Sequence, residues 1–366
     1  MDQGPVLPQE LFDLVIDHLL DDLESLRVCA VVSSSFLHSS RMHLFSHLKV
    51  GPFDQEHCID ELHEILTKSP VLAARVQSLH LWDHIMRRQS WFVKYPQLAP
   101  GVGHLSRTLP SLQRFCITVE AGFVHWANIS DALRTAVCYT VTLPTLTCLE
   151  LTGLYGLPFT LLANCPALRS VTLKWVTFDE RDNLDFAVTV AACAGSPPTQ
   201  LERLSIDLDT RVFVLLARWI LLPQSPLDIT RLTSFACTLD HKLDHFKVQD
   251  LLDVCAPTLE HFQLKNIRGP LDLSAAARLR TLRLHTADLP WLPSPPQPVA
   301  LVVAIASESE MSQLDAAQIS RSFAGVTFIL APQKEGKARE RDLVDVSAAF
   351  AHRGMLRVLR SRLDEI

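Results

Sequence analysis

Residues 146–151 read LTCLEL, and the fold of the chain turns on how that phrase is read. Leu149 and Leu151 alternate with Cys148 and Glu150. Successive side chains of a strand point to opposite faces, so the leucines share one face and Cys148, Glu150 and Thr152 the other. The phrase returns as VQSLHL (76–81), LQRFCI (112–117), LRSVTL (168–173), LERLSI (201–206), LTSFAC (232–237), LEHFQL (259–264) and LRTLRL (279–284). Weaker echoes stand at Val299, Val302, Ala304 and at Phe323, Val326, Phe328. Pro110, Pro144, Pro166 and Pro257 precede several copies and mark a turn into the strand.

The copies lie roughly 20 residues apart late in the chain and roughly 30 or more apart early, around the period of leucine-rich repeats. Each such unit buries its apolar face only by stacking on its neighbours. The expected fold is therefore α/β: an irregular leucine-rich-repeat solenoid of parallel strands with a concave sheet, interrupted by helices such as Phe213 to Leu222 and Lys247 to Leu252. Side chains between the apolar positions would line the concave face. The candidates there for binding a protein substrate are Trp82, Arg114, Lys174, Arg203, His261, Lys265, Arg283 and His285, a stripe that leans basic toward its C-terminal end. Trp175 lies one place beyond the alternation. The stripe's charge could steer an acidic partner.

Ahead of the repeats stands LPQELFDLVIDHLLDDLESLRVCAVVSSSF, residues 7–36. Pro8 suits the first turn of a helix, and Leu11, Val15 and Leu19 recur at helical spacing. Asp21 and Glu24 form a capping-box-like pair for a second helix. The serines 33–35 stop that helix and cap a third, after which SHLKV reads as a short strand. Three short helices bury one another's faces but leave apolar residues over, and such surface marks a partner site.

These residues resemble the F-box, a three-helix module. The matching positions are Leu7, Pro8, Glu10, Leu11, Ile16, Leu19, Leu23, Leu26, Val28, Cys29 and Phe36. The chain departs from the family's C-x-x-W, since Cys29 is followed by Ala30, Val31 and Val32 and the nearest aromatic is Phe36. LHEILTKSPVLAARVQSLHL (62–81) is similar to the bridge from F-box to first repeat in fungal F-box-like proteins, and extends the likeness to about Leu289. The resemblance implies an F-box-like module over 5–50, a linker helix and irregular repeats over 51–290, and a proline-rich break (LPWLPSPPQP, 289–298) with a C-terminal cap over 291–366. It implies a non-catalytic substrate receptor of a Skp–cullin–F-box ubiquitin ligase. Leu7, Pro8, Leu11, Ile16, Leu19, Leu23 and Leu26 would form or support the surface for the Skp-type adaptor. The alternative is a leucine-rich-repeat interaction scaffold without ligase function, whose N-terminal helices merely cap the first strand and bury Leu11 and Leu19.

Composition narrows the partners. Hydrophobic residues make up 48% and charged residues 20%, an ordinary globular balance. A net charge of −6 offers no basic footprint for a phosphate backbone, so nucleic acid is not expected as a partner. VFVLLARWILL (212–222) is broken by Arg218 and falls short of the about 20 residues that span a bilayer, so a buried helix is expected and no membrane partner. MDQGPVLPQE lacks the basic and apolar regions of a secretory signal. Nine cysteines without a C-x-x-C pair read as small core hydrophobes in a reducing compartment, the cytoplasm or nucleus.

Neither a phosphate-binding glycine loop nor G-x-S-x-G occurs. His43/His47 and His241/His245 are spaced to share a helix face, but neither pair carries the glutamate of H-E-x-x-H. Asp240 and Asp244 beside the second pair leave a metal-dependent enzyme as a third reading. The expectation is a chain without cofactor, metal or catalytic residue.

Overall fold

The computed structural model describes residues 8–19, 22–51, 58–85, 90–94, 98–179, 198–244, 246–268, 271–285, 299–305, 323–330 and 356–360. The chain divides into two compact units, Met1–Leu157 with Asn164–Ala167, and Pro158–Ala163 with Leu168–Ile366.

The first unit opens with helices α1 (Gln9–Asp17), α2 (Leu23–Val32) and α3 (Ser34–Ser46). The α2 cap is Asp22, one residue later than the sequence suggests, and its carboxylate accepts from the Ser25 amide at 3.0 Å. Ser33 caps α3 through the Ser35 amide. Strand β1 (His47–Val50) follows, and then β2 (Ser78–His84), β3 (Arg114–Glu120), the two-residue β4 (Val124–His125), β5 (Cys148–Thr152) and the two-residue β6 (Leu154–Tyr155). β1, β2, β3 and β5 pair in that order, all parallel, with Leu79, Phe115 and Leu149 in one cross-strand row and Leu81, Ile117 and Leu151 in another. Helices Leu98–Thr108 and Asp131–Val141 pack together, joined inside by Ser106 Oγ and Thr140 Oγ1 at 2.6 Å. The turn after β5 needs a glycine: Gly153 has φ +72°, and a Cβ there would lie 2.7 Å from the Val119 carbonyl oxygen.

The second unit continues the scheme with β7 (Ser170–Lys174), the short β8 (Thr199–Gln200), β9 (Arg203–Leu208), the short β10 (Leu227–Asp228), β11 (Ser234–Asp244), β12 (His261–Arg268), β13 (Thr281–His285), β14 (Val299–Ile305), β15 (Phe323–Leu330) and β16 (Leu356–Arg360). β7, β9 and β11 to β16 pair in sequence order, each parallel to the next. Three strands thus lie beyond residue 290, in the region read from sequence as a closing cap. The proline-rich break and the charged stretch 332–342 lie outside the described residues. Helix Thr210–Ile220 buries Phe213, Leu216 and Trp219, and Trp219 joins the stacked pair Phe159 and Phe178. The apolar run at 212–222 is accordingly core, and no helix among the described residues is long and apolar enough to cross a membrane.

A backbone device repeats with the sequence phrase. The carbonyl of Gln77 accepts from the amides of Gln113 and Arg114, and that of Gln113 from Thr147 and Cys148. Arg169, Glu202, Thr233 and Glu260 do the same for the next copy in the second unit. Every acceptor occupies the second place of L-x-x-L-x-L, so each turn is fixed by the one before it. The backbone groups of each turn are thereby satisfied by other backbone groups, and the hydroxyls of Thr147 and Thr233 add a donor to the Gln113 and Glu202 carbonyls. All the apolar positions of the eight clear copies are buried, none more than 5% exposed.

Candidate interaction surfaces

Two kinds of surface collect the residues singled out from sequence. The first is the outer face of the N-terminal helices. α1 turns Phe12 and Ile16 inward, against α3, where Phe12 meets Phe36 and the Asp17 carboxylate lies 2.7 Å from His43 Nε2. Ser39 Oγ donates to Asp13, and this bond, with one from Gln9, holds the Asp13 carboxyl below the ordinary carboxylate range. Among the exposed residues, beside Glu10, Asp17, Glu24 and Arg27, stands an apolar set. Leu11, Leu14 and Val15 stand at i, i+3, i+4 and are 44%, 55% and 55% exposed. Val28, Val31 and Val32 repeat that spacing on α2 at 58%, 84% and 67%, and Leu23 is 49% exposed.

The sequence-derived adaptor set therefore separates. Pro8, Leu11 and Leu23 are exposed, and Leu19 is half-buried. Ile16 and Leu26 have no exposed surface, so within the chain they pack the interior of the bundle and could only support an outer face from beneath. Leu7 lies outside the described residues. Leu14, Val15, Val28, Val31 and Val32 are exposed as well, and they lie outside the sequence-derived set. Their signal was present: VCAVV offers more apolar residues than one helix face can bury.

The second kind of surface is the sheet face opposite the leucine core. In the first unit, Lys49, His80, Cys116 and Glu150 form one cross-strand row, and Trp82, Thr118 and Thr152 another. Lys49 Nζ sits 4.3 Å from the Trp82 ring centroid, a cation–π contact that sequence reading missed because β1 lacks the repeat phrase. Arg114 reaches toward Glu150, at 3.7 Å. His80 Nε2 lies 2.9 Å from Thr118 Oγ1, and burial, aided by Lys49, lowers its pKa. Cys116 is on this face but buried, and burial pushes its thiol up to about 12. At the far end of these strands Phe123, half exposed, stacks on Tyr155 at 4.4 Å.

In the second unit the face carries three rows. Ser170, Arg203, Ser234, His261 and Thr281 form the first, and Thr172, Ser205, Ala236, Gln263 and Arg283 the second. Lys174, Asp207, Thr238 and Lys265 form the third. Lys174, Arg203, His261 and Arg283 are exposed, and Lys265 is half-buried. His285 ends β13, with its side chain outside the described set. Trp175, just past β7, is 56% exposed and left-handed at φ +51°. Its amide donates to the Asp207 carbonyl at 2.7 Å.

The histidine pairs divide. His43 lies on α3 and pairs with Asp17, whereas His47 opens β1 against Ser46 Oγ, so the two do not share a helix face as their spacing suggested. The side chains of His241 and His245 lie outside the described residues. Among the described residues no cluster of histidine, cysteine and carboxylate is placed to hold a metal ion.

No family model matches the chain, and no curated protein matches it. Among solved structures, it is similar to a chain of the "Crystal structure of Rad7 and Elc1 complex in yeast", with 11% identity over 98% of this chain and 94% of that one and a TM-score of 0.39. A likeness of that size carries neither fold nor function across.

Proposed function

We propose that the chain is a non-catalytic substrate receptor of a Skp–cullin–F-box ubiquitin ligase, acting in the cytoplasm or nucleus. Its N-terminal helices dock on the Skp-type adaptor, and its repeat region holds a protein substrate. The single observation that carries the reading is the exposure of large apolar side chains, Leu11, Leu14 and Val15 on α1 and Leu23, Val28, Val31 and Val32 on α2. A helical bundle that merely capped the first strand would turn such residues inward; large exposed apolar patches on soluble proteins mark interaction sites. The chain would contribute geometry, holding a target at high effective concentration beside the transferring enzyme.

The test is co-purification of the full chain with a Skp adaptor, using Leu11→Asp with Val15→Asp and, separately, Val31→Asp with Val32→Asp. These side chains are exposed, so thermal melts of the variants should match the parent. Recovery of the adaptor with the parent and its loss with folded variants supports the receptor. No recovery with the parent, under conditions where another F-box protein binds, returns the chain to the interaction-scaffold reading.

A further inference from the structure

We propose that the sheet face of the second unit holds an extended, acidic polypeptide segment. This deepens the substrate-binding half of the proposed function and rests on it, while standing apart from adaptor docking.

The first observation is a contrast in how charges are used. At the second place of the repeat phrase, side chains are matched in pairs: Arg169 with Glu202 at 2.6 Å, and Arg280 with Glu260 at 3.2 Å. On the adjoining face the same strands present Lys174, Arg203, Lys265 and Arg283, and none of these has an ion-pair partner among the described residues. The rows they occupy contain one carboxylate, Asp207, so four positive charges less one negative leave +3 on a chain whose net charge is −6. An unneutralised patch of sign opposite to the molecule is the complement of an acidic partner.

The second observation is relief. Between the cations the face is built of short side chains, with Thr172, Ser205 and Ala236 side by side in the middle row. A polypeptide backbone can lie close over such a floor. Lys174 and Lys265 stand in one row three strands apart, about 14 Å at the usual strand spacing. An extended chain rises about 3.4 Å per residue, so acidic residues four apart would meet both lysines.

Trp175 supplies an anchor. A bulky residue with positive φ is uncommon, and residues held in such backbone gather at functional sites. Here the left-handed turn directly after Lys174 leaves the indole exposed, and the hydrogen bond from its backbone amide to the Asp207 carbonyl fixes that turn at the end of the charged row. Tryptophan is enriched among residues that dominate binding energy. A nucleic acid would be a denser polyanion, charged at every nucleotide, and asks for a longer basic track than the four cations of this face supply.

The test is fluorescence anisotropy with the full chain and three probes: a labelled twelve-residue peptide with glutamate at every fourth position among serine and leucine, the same peptide with glutamine, and a single-stranded DNA dodecamer. The expected result is that the glutamate peptide binds about tenfold more tightly than the glutamine peptide at low salt, with the advantage shrinking as salt rises. Lys174→Glu with Lys265→Glu should abolish that advantage, and Trp175→Ala should weaken the glutamate peptide severalfold. Lys174→Gln with Lys265→Gln repeats the test without introducing new charge, and melting curves verify that each variant is folded. Equal binding of the two peptides, binding unchanged by the lysine substitutions, or tighter binding of the DNA would overturn the proposal. Adaptor recovery on the same lysine variants separates the outcomes, since it tests the helical face and leaves this one aside.

Discussion

Phe12 and Phe36 meet edge to face, their ring centroids 5.2 Å apart and their planes at 89°, and so tie the first helix to the third. Phe36 is the nearest aromatic to the place where the F-box-like pattern would put a tryptophan, and the contact shows what it does for this bundle. Both rings are half-buried, so Phe36→Ala should cost less than loss of a fully buried phenylalanine, about 2 kcal/mol. The ring pair itself should account for about 1 kcal/mol of that. A double-mutant cycle of Phe12→Ala and Phe36→Ala in urea denaturation measures the share. A coupling near zero would mean the two rings are neighbours without mutual stabilisation.

Asp83 has no exposed surface, although it lies on β2 in line with Leu79 and Leu81. Its carboxylate accepts from Ser90 Oγ at 2.5 Å and from the amides of Trp91 and Phe92 at 3.1 and 3.3 Å. The charge thus fastens the short helix Trp91–Lys94 to the strand end. Asp83→Ala strands these donors in the interior and should destabilise the first unit by about 3 kcal/mol. Asp83→Asn keeps one acceptor oxygen and should cost less. Chemical denaturation followed by tryptophan fluorescence checks both, and equal stability of all three proteins would contradict the fastening role.

The cysteines give a third expectation. Burial pushes the thiols of Cys116, Cys165 and Cys255 up to about 12, and that of Cys237 higher still. A thiol reacts as the thiolate, so these four should resist a disulfide reagent at pH 8 in the native protein. All should react once guanidinium unfolds the chain. Cys138 is exposed, and its thiol is also raised by burial of its surroundings. Mass spectrometry of the labelled protein locates the reactive positions. Rapid native labelling at Cys237 would show that the second unit's core opens far more often than its packing implies.

The strands were legible because their constraint is periodic: Leu146, Leu149 and Leu151 occupy every place that a stacked repeat must fill, and the same spacing recurs with each turn. β1 carries only HLKV, too short for the phrase, so Lys49 and its contact with Trp82 could be seen only once β1 was placed beside β2. In the N-terminal helices the spacing announced amphipathic segments without stating which apolar residue faces inward. Ile16 and Leu11 look alike in sequence, yet one is buried and the other 44% exposed, a difference set by where α3 crosses α1. Trp175 was visible as an exception to alternation, but its left-handed backbone was not, because nothing local in sequence asks a tryptophan to adopt it. Asp83 was unreadable for a related reason: a carboxylate at a core position makes sense only when Ser90 and the following amides are brought to it.

His80 sets a pH dependence whose sign follows from its surroundings. It lies between Lys49 and Cys116 in a cross-strand row, with Glu150 beyond, and with Glu120 on the neighbouring strand. Burial disfavours the charged imidazolium and Lys49 adds to the effect, while Glu150 and Glu120 oppose it; the net result is a pKa below the ordinary 6.5. The unfolded chain then takes up this proton at higher pH than the folded chain does. Stability from His80 is complete above about 6.5, falls as pH drops through that value, and levels off below the lowered folded pKa. The carboxylates lowered by hydrogen bonds act in a separate range, Asp13, Asp22 and Asp272 below their ordinary 3.8 and Glu64, held by Lys68, below its ordinary 4.5. Melting temperatures measured at pH 7.5 and 5.5 should therefore fall further for the parent than for His80→Gln. An identical fall would place the acid sensitivity elsewhere, and Lys49→Gln, which removes one of the two lowering influences, should give an intermediate result.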